Sequence, residues 1–293
     1  REIIFAKVLN KASVNLDAID ALTLDKDAVK AFKDSCLTPE NPKTRGTAQN
    51  DDIYFQTREL TTPFYEALPD IVSEYMSEIS RITGREYKPF VYYGDPQAER
   101  VIVAMGSVTQ ALEQVIDYLR SKGEKVGLLK VYLYRPFSLK HLFEVMPKSV
   151  RKIAVLDRTK EPGSLGEPLY LDIKFAFYGQ QNAPLIVGGR YGLSSKDVDP
   201  SQIFAVFENL KQKEPKDHFT IGINDDVSHT SLPCDEKISL SNESTTECLF
   251  YGLGADGTVG ANKNSIKIIG DNTDFYAQAY FAYDSKKSGG YTR

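Results

Sequence analysis

A glycine-rich turn near the carboxyl end of the sequence is the stretch best suited to bind a ligand. Gly252, Gly254 and Gly257 have the G-x-G-x-x-G spacing and stand between a strand-like "ECLFYG" and a helix-like "TVGANKNSIKIIG". A strand that turns into a helix directs unpaired backbone N–H groups, and the positive end of the helix dipole, toward one point. Because glycines let an anion approach that backbone closely, the pattern predicts a phosphate site.

Two acidic residues argue against a plain dinucleotide site. Asp256 lies inside the turn and would repel a phosphate if its side chain pointed inward. Asp284, which ends the next strand-like segment, comes later than the roughly 20 residues typical of a ribose-binding carboxylate. A purely structural turn therefore stays open as the alternative, and a nicotinamide cofactor is the least favoured ligand.

Other charged side chains and the histidines are further candidates for a binding or catalytic role. Lys286 and Lys287 follow the next strand-like segment and would emerge at the same sheet edge as the turn. Arg158 and Lys160 follow another strand and could hold an anion, although solvated loop charges are the simpler interpretation. The histidines have no metal-ligand or triad spacing; they are His141, His218 and His229. The sequence contains no P-loop and no G-x-S-x-G motif.

The elements that would position these residues alternate between strand and helix. Four apolar strand-like runs, "RVIVAMG", "KVGLLKVYLYRP", "RKIAVLDR" and "PLIVGGRYG", are separated by helical patterns. The helices are expected after Ser107 or Thr109, near 140–146, near 167–178 and near 200–211. Continuous apolar strands between helices predict an α/β fold with a doubly wound, mostly parallel sheet. Two longer helices are predicted, over 16–35 and over 63–84. Gly84 is expected to cap the carboxyl end of the second helix.

Composition limits the classes of function. The sequence of 293 residues is 41% hydrophobic and carries a formal net charge of -4, which argues against a nucleic-acid partner. No apolar run reaches the roughly 18 residues of a membrane span. The cysteines are odd in number and form no C-x-x-C pair, which predicts no metal site and a reducing compartment; they are Cys36, Cys234 and Cys248.

The two ends of the sequence favour a piece of a longer polypeptide. The chain opens on "REIIF" without an initiator Met and stops on "KKSGGYTR", which has the character of a connection. The first 88 residues show two helices and a long loop, too little for a core of their own. Residues 213–244 are polar and rich in turns, which predicts a connector before the βα unit of the glycine-rich turn.

Together, these stretches resemble the pyruvate:ferredoxin (flavodoxin) oxidoreductases, also called pyruvate synthases. The motifs occur in order along the chain, and the last two are the most specific: "RGTAQNDDIYFQTRE", "AERVIVAMGS", "LYRPFS", "VLDRTKEPGS", "GGRYGLSSKD", "GLGADGTVGANKNSIKIIGDNTD" and "YDSKKSGG". On the family's plan, residues 1–88 resemble the end of the pyrimidine-binding thiamine domain. Residues 89–245 resemble a transketolase C-terminal-like domain with its connector, and residues 246–293 the start of the coenzyme A domain.

The resemblance implies an activity and a ligand for the glycine-rich turn. Family members oxidatively decarboxylate pyruvate to acetyl-CoA and CO2 on thiamine diphosphate and pass the electrons to ferredoxin or flavodoxin. Their "GADGT" loop and the first lysine of "SKKSGG" contact coenzyme A, which here corresponds to Gly254, Ala255, Asp256, Gly257, Thr258 and Lys286. Asp256 would then face away from phosphate or serve the loop through its backbone.

The same resemblance places the chemistry of the family outside this segment. It implies no catalytic residue and no metal ligand within these residues, because thiamine diphosphate, Mg2+ and the [4Fe-4S] clusters bind elsewhere in the parent enzyme. It also implies a homodimer in the cytoplasm, or in an organelle of an anaerobic eukaryote, with no nucleic acid and no membrane. A stand-alone nucleotide or acyl-coenzyme A-binding α/β module without catalysis remains the alternative.

Overall fold

The computed structural model describes residues 15–42, 48–240, 244–254 and 256–283. These residues divide into two compact units, each considered by itself. One unit comprises the described residues of 15–89 together with 133–138, and the other those of 90–132 and 139–283. The three-part domain assignment drawn from the sequence stays a prediction.

The first unit is helical. Its helices are α1 (Leu16–Thr23), α2 (Lys26–Asp34), α3 (Tyr54–Glu59) and α4 (Thr62–Thr83). The single helix predicted over 16–35 is wrong, because Asp25 interrupts it and caps α2 by accepting the backbone N–H groups of Asp27 and Ala28. The end of α4 is as predicted: Gly84 adopts a left-handed conformation with φ of 69°.

The second unit is built on a six-stranded sheet. Its strands are β1 (Phe90–Gly94), β2 (Arg100–Ala104), β3 (Val126–Val131), β4 (Lys152–Asp157), β5 (Leu185–Arg190) and β6 (Phe219–Thr220). They lie in the order β1-β3-β2-β4-β5-β6, and every neighbouring pair is parallel except β1 with β3. This confirms the predicted α/β class with a mostly parallel sheet.

Helices connect the strands close to the predicted positions. They are α5 (Val108–Ser121), α6 (Leu139–Val145), α7 (Pro168–Ala176) and α8 (Pro200–Lys211), and α9 (Thr258–Asn272) follows the glycine-rich turn. Ser107 holds the N-cap position of α5 but makes no side-chain cap. The Thr109 hydroxyl, the other predicted cap, instead donates to the carbonyl of Gly106.

An apolar core holds α5 and α8 against the sheet. Leu112, Ile116 and Leu119 of α5 pack in one cluster with Ile203 and Phe207 of α8, and all of them are buried. Four consecutive residues in both β2 and β3 are buried, as expected of strands covered on two faces. The carboxyl ends of β2, β4 and β5 are thereby held at one edge of the sheet.

Both outer strands differ from the sequence interpretation. The antiparallel β1 was not predicted, because its residues "FVYYG" alternate little and are mostly half-buried. At the other edge, the short β6 is paired on its outer side by the following segment. The N–H of Thr220 donates to the carbonyl of Thr230, and its own carbonyl accepts the N–H of Leu232.

Candidate functional site

The glycine-rich turn is closed by a carboxylate. Asp256 accepts the backbone N–H of Leu253 at 2.8 Å and that of Thr258, the first residue of α9, at 3.1 Å. The side chain of Thr258 adds a further hydrogen bond. These contacts, led by the N–H of Thr258, hold the pKa of the Asp256 carboxyl below its usual range. Asp256 therefore serves the loop through its side chain, and it points inward rather than away.

The three glycines of the motif have two different roles. Gly254 and Gly257 both have φ of 86°, and, chain neighbours aside, no atom of the described residues lies within 4 Å of the position that a Cβ would occupy. The backbone there is left-handed and open to close approach by a ligand. A Cβ on Gly252 would instead lie 2.8 Å from the Cβ of Thr258, so this glycine permits packing within the turn.

The amino end of α9 keeps donors that Asp256 does not use. Among the described residues, no acceptor lies within hydrogen-bond distance of the N–H groups of Val259 and Gly260 in the first turn. With the dipole of a 15-residue helix behind them, these groups favour an anion. Of the six residues expected to contact a ligand, Ala255 and Lys286 lie outside the described residues, and the other four form this turn.

The strands predicted on either side of the turn do not form. Residues 247–252 and 273–283 are extended or bent segments without strand pairing. Residues 271 and 272, also expected in the second strand, form the end of α9. The large side chains of the two extended segments are exposed, with Leu249 at 77%, Tyr251 at 85% and Tyr280 at 80%. A strand needs a hydrogen-bonded neighbour, and within the described residues none is present for either segment. Without a strand after α9 among residues 273–283, Lys286 is no longer expected at the same sheet edge as the turn.

A second carboxylate closes the amino end of a helix, this time in the buried interior of the sheet unit. Asp157, the last residue of β4, is 4% exposed and accepts the N–H groups of Leu169 at 3.1 Å and Tyr170 at 3.0 Å. Burial raises the pKa of Asp157 above its usual range, although the two N–H groups work against that rise. The sequence interpretation missed this contact. Its only signal is an aspartate that ends a strand ahead of a helix with Pro168 at its start.

Further polar contacts join the ends of β5 and β6 to α7. Asp217 accepts the hydroxyl of Tyr170 at 2.7 Å, the N–H of Gly188 at 2.7 Å and the N–H of His218 at 2.8 Å. Arg190 lies 3.6 Å from the buried Glu167. Asp217 precedes β6 and bonds to the middle of β5, so its contacts fasten α7 to the last two strands. Arg190, at the carboxyl end of β5, donates to the carbonyl of His218.

The remaining candidates do not form a separate site. The Nε of Arg158 donates to the carbonyl of Gly192 at 2.7 Å, which ties the ends of β4 and β5 together. Lys160 is exposed. His141 is buried in α6, and His218 lies edge-on against Tyr170. In the part of the chain that the structure describes, no group of three metal-binding side chains occurs. No helix there is long and apolar enough to cross a bilayer.

Comparison with known proteins shows which enzymes the chain resembles. Residues 98–203 match the family model described as pyruvate:ferredoxin oxidoreductase core domain II. The chain is 63% identical over 270 residues to a pyruvate-flavodoxin oxidoreductase of Enterobacter agglomerans, a match that covers 92% of this chain. The chain is similar to pyruvate:ferredoxin and pyruvate-flavodoxin oxidoreductases over more than nine-tenths of its length. The resemblance drawn from the sequence motifs is thereby confirmed.

Other relatives extend the comparison. The chain is 58% identical over 272 residues, or 93% of its length, to a pyruvate:ferredoxin oxidoreductase of Moorella thermoacetica. It spans 23% of the length of each of these two relatives. A solved structure of a 2-oxoglutarate:ferredoxin oxidoreductase from Magnetococcus marinus, with 2-oxoglutarate, coenzyme A and succinyl-CoA bound, has a TM-score of 0.35 and 17% identity. That alignment covers 60% of this chain and 28% of the other.

Proposed function

We propose that this chain is part of an enzyme that oxidatively decarboxylates pyruvate to acetyl-CoA and CO2 and passes the electrons to ferredoxin or flavodoxin. The observation that carries the proposal is identity of 58 to 63% over more than nine-tenths of the chain to two enzymes named for this reaction. At this level of identity the fold and the arrangement of the segment are shared with them. The segment contributes scaffold and part of a coenzyme A site.

The sheet unit provides the scaffold. Asp157 and Arg190 make internal contacts at the carboxyl edge, and Asp217 fastens α7 to β5. These polar groups therefore serve to fix strands and helices. This supports a structural role for the part of the chain that matches core domain II. The catalytic groups for pyruvate would then lie elsewhere in the parent enzyme.

The glycine-rich turn is the part that we assign to coenzyme A. Its open left-handed glycines and the remaining N–H groups of α9 suit the phosphates of that ligand. The proposed contacts come from Gly254, Ala255, Asp256, Gly257, Thr258 and Lys286. Because the Asp256 carboxylate lies inside the turn, a cation is needed beside the phosphate to offset its charge. Lys286 is proposed for that role.

The other cofactors belong to the parent enzyme outside this segment. Thiamine diphosphate with Mg2+ would supply carbanion stabilisation on pyruvate, and [4Fe-4S] clusters would carry the electrons. The cysteines here do not suit a cluster, since Cys36, Cys234 and Cys248 are widely spaced and are free thiols. A homodimer in the cytoplasm completes the proposal for the intact enzyme.

The coenzyme A assignment is tested by removing one lysine at a time from the intact parent enzyme. Lys286→Ala should raise the KM for coenzyme A about 10- to 150-fold, the loss expected for one charge-assisted contact to a phosphate. Lys287→Ala is the matched control and should leave that KM nearly unchanged. Both are measured with pyruvate saturating, and the coenzyme-independent decarboxylation of pyruvate should survive in each.

Two results would contradict parts of the proposal. An unchanged KM in Lys286→Ala would remove Lys286 from the site and leave the "GADGT" loop as a turn. A native polypeptide of about the size of this chain, established by intact mass, would instead favour a stand-alone binding module. The two outcomes are independent of each other.

A further inference from the structure

A cleft at the amino edge of the sheet collects positive charge. It lies where β2 and β4 begin and α8 ends, on the side opposite the carboxyl ends of the strands. Its volume is about 270 Å3. The residues that line it are Glu99, Arg100, Arg151, Lys152, Leu210 and Lys211.

Arg100 contributes a buried donor without an acceptor. Its side chain is 18% exposed, and its Nη2 pairs with Glu124. Its Nη1 is buried, and among the described residues no acceptor lies within hydrogen-bond distance. An unsatisfied buried donor costs free energy, so the guanidinium gains a hydrogen bond if it turns toward an acceptor that enters the cleft.

The carboxylates near the cleft already interact with basic side chains of the protein. Glu124 accepts from Arg100 and, at 2.8 Å, from Lys211. Burial alone would raise the pKa of Glu124, yet the two cations hold it below its usual range. Lys211 also pairs with Glu208 at 2.6 Å, while Glu99 lies 4.0 Å from Arg151. The acidic groups around the cleft therefore leave positive charge uncompensated.

Lys152 supplies the second available cation. Its ammonium donates to the backbone carbonyl of Gln212, just beyond the end of α8. In the described part of the chain it forms no ion pair with a carboxylate. Lys152 and Arg100 thus line the same cleft, one with a point charge and the other with a planar fork of donors.

We propose that this cleft binds a phosphate group. A phosphate oxygen would accept from the Nη1 of Arg100, and its charge would be balanced by Lys152 and Arg151. The volume of about 270 Å3 holds such an ion together with water. The group could come from inorganic phosphate or from a nucleotide, which share this chemistry. The proposal does not use the glycine-rich turn and stands apart from the coenzyme A assignment.

The test is a titration of the chain with inorganic phosphate, with sodium chloride keeping the ionic strength constant. Calorimetry should detect binding, and the backbone amide resonances of residues 99–100, 151–152 and 211 should shift. Arg100→Gln and Lys152→Ala should each weaken phosphate about 10-fold or more. Lys152→Ala alters a residue outside the core, so it tests the site even if Arg100→Gln unfolds.

Lys160→Ala is the matched control, because Lys160 is an exposed cation at the opposite edge of the sheet. It should leave phosphate affinity unchanged. A second arm with adenosine monophosphate separates the sources: tighter binding than phosphate favours a nucleotide, and equal binding favours the free ion. Absence of any response beyond that to chloride, or a loss in Lys160→Ala equal to that in Lys152→Ala, would overturn the proposal.

Discussion

Asp157 and Asp256 play the same structural role, one in a buried and the other in an exposed environment. Each accepts two backbone N–H groups where a helix begins, over distances of 2.8 to 3.1 Å. Asp157 is buried in the sheet unit and its pKa is raised, whereas Asp256 is exposed and its pKa is lowered. The backbone hydrogen bonds lower the pKa of both carboxyls, but in Asp157 burial outweighs them. The decisive difference is how much water the charged form has to give up.

The contrast also separates scaffold from site. The Asp157 contact lies among buried side chains, so nothing from solvent can compete for the N–H groups of Leu169 and Tyr170. The Asp256 contact is open, and an arriving anion meets both the carboxylate and the free amides of α9. We expect the buried contact to control stability and the exposed one to control ligand binding.

The largest expected effect is on the buried side. Asp157→Ala removes the acceptor of two buried N–H groups and should lower the free energy of unfolding by about 2–4 kcal/mol. Asp157→Asn keeps one of the two acceptor oxygens but turns an NH2 group toward the other N–H, so it should cost less than Asp157→Ala and about half as much or more. Urea unfolding monitored on the sheet unit measures both. Equal losses in the two variants would show that the charge of Asp157, and not its hydrogen bonds, stabilises the fold.

A smaller effect is expected in the exposed turn. Gly257→Ala places a Cβ on a residue with φ of 86°, which should destabilise the start of α9 by about 1–2 kcal/mol. Gly260→Ala lies within the helix, where the same substitution should stabilise α9 by about 1 kcal/mol. Hydrogen exchange of the α9 amides measures both. The same sign in both variants would mean that the left-handed turn is not maintained.

The smallest effect is the opposite response of the two aspartates to acid. Asp256 has a lowered pKa, so its contribution to stability is present above the ordinary value of about 3.9 and is lost as the pH falls below it. Asp157 has a raised pKa, so the part of its contribution that comes from protonation is present below about 3.9 and is lost as the pH rises through the folded value. Carboxyl carbon resonances followed between about pH 2 and 7 should place the two midpoints on opposite sides of that value. Midpoints on the same side would refute the comparison.

The regular elements could be predicted from the sequence because their signals are local. The helix at Pro200–Lys211 carries its own capping box from Asp199 and Gln202, and the end of α4 carries Gly84. The parallel strands are short apolar runs between such helices. For these elements, adjacent residues contain most of the information that the fold uses.

What could not be predicted depends on partners that are distant in the sequence. The contacts of Asp217 with Tyr170 and Gly188 span 47 and 29 positions, and nothing near Asp217 announces them. The strands expected around the glycine-rich turn have strand-like sequences but no neighbouring strand among the described residues. The inward direction of Asp256 was open for a similar reason, since the sequence does not reveal which amides a short side chain will reach.

The short β6 has a consequence for how the molecule behaves at high concentration. An unpaired sheet edge is a template on which the strand of another molecule can add, and such growth leads to aggregation. Here the edge strand is two residues long, and both the N–H and the carbonyl of Thr220 are already bonded to residues 230–232. The loop after β6 therefore blocks the addition of a strand from another molecule at that edge.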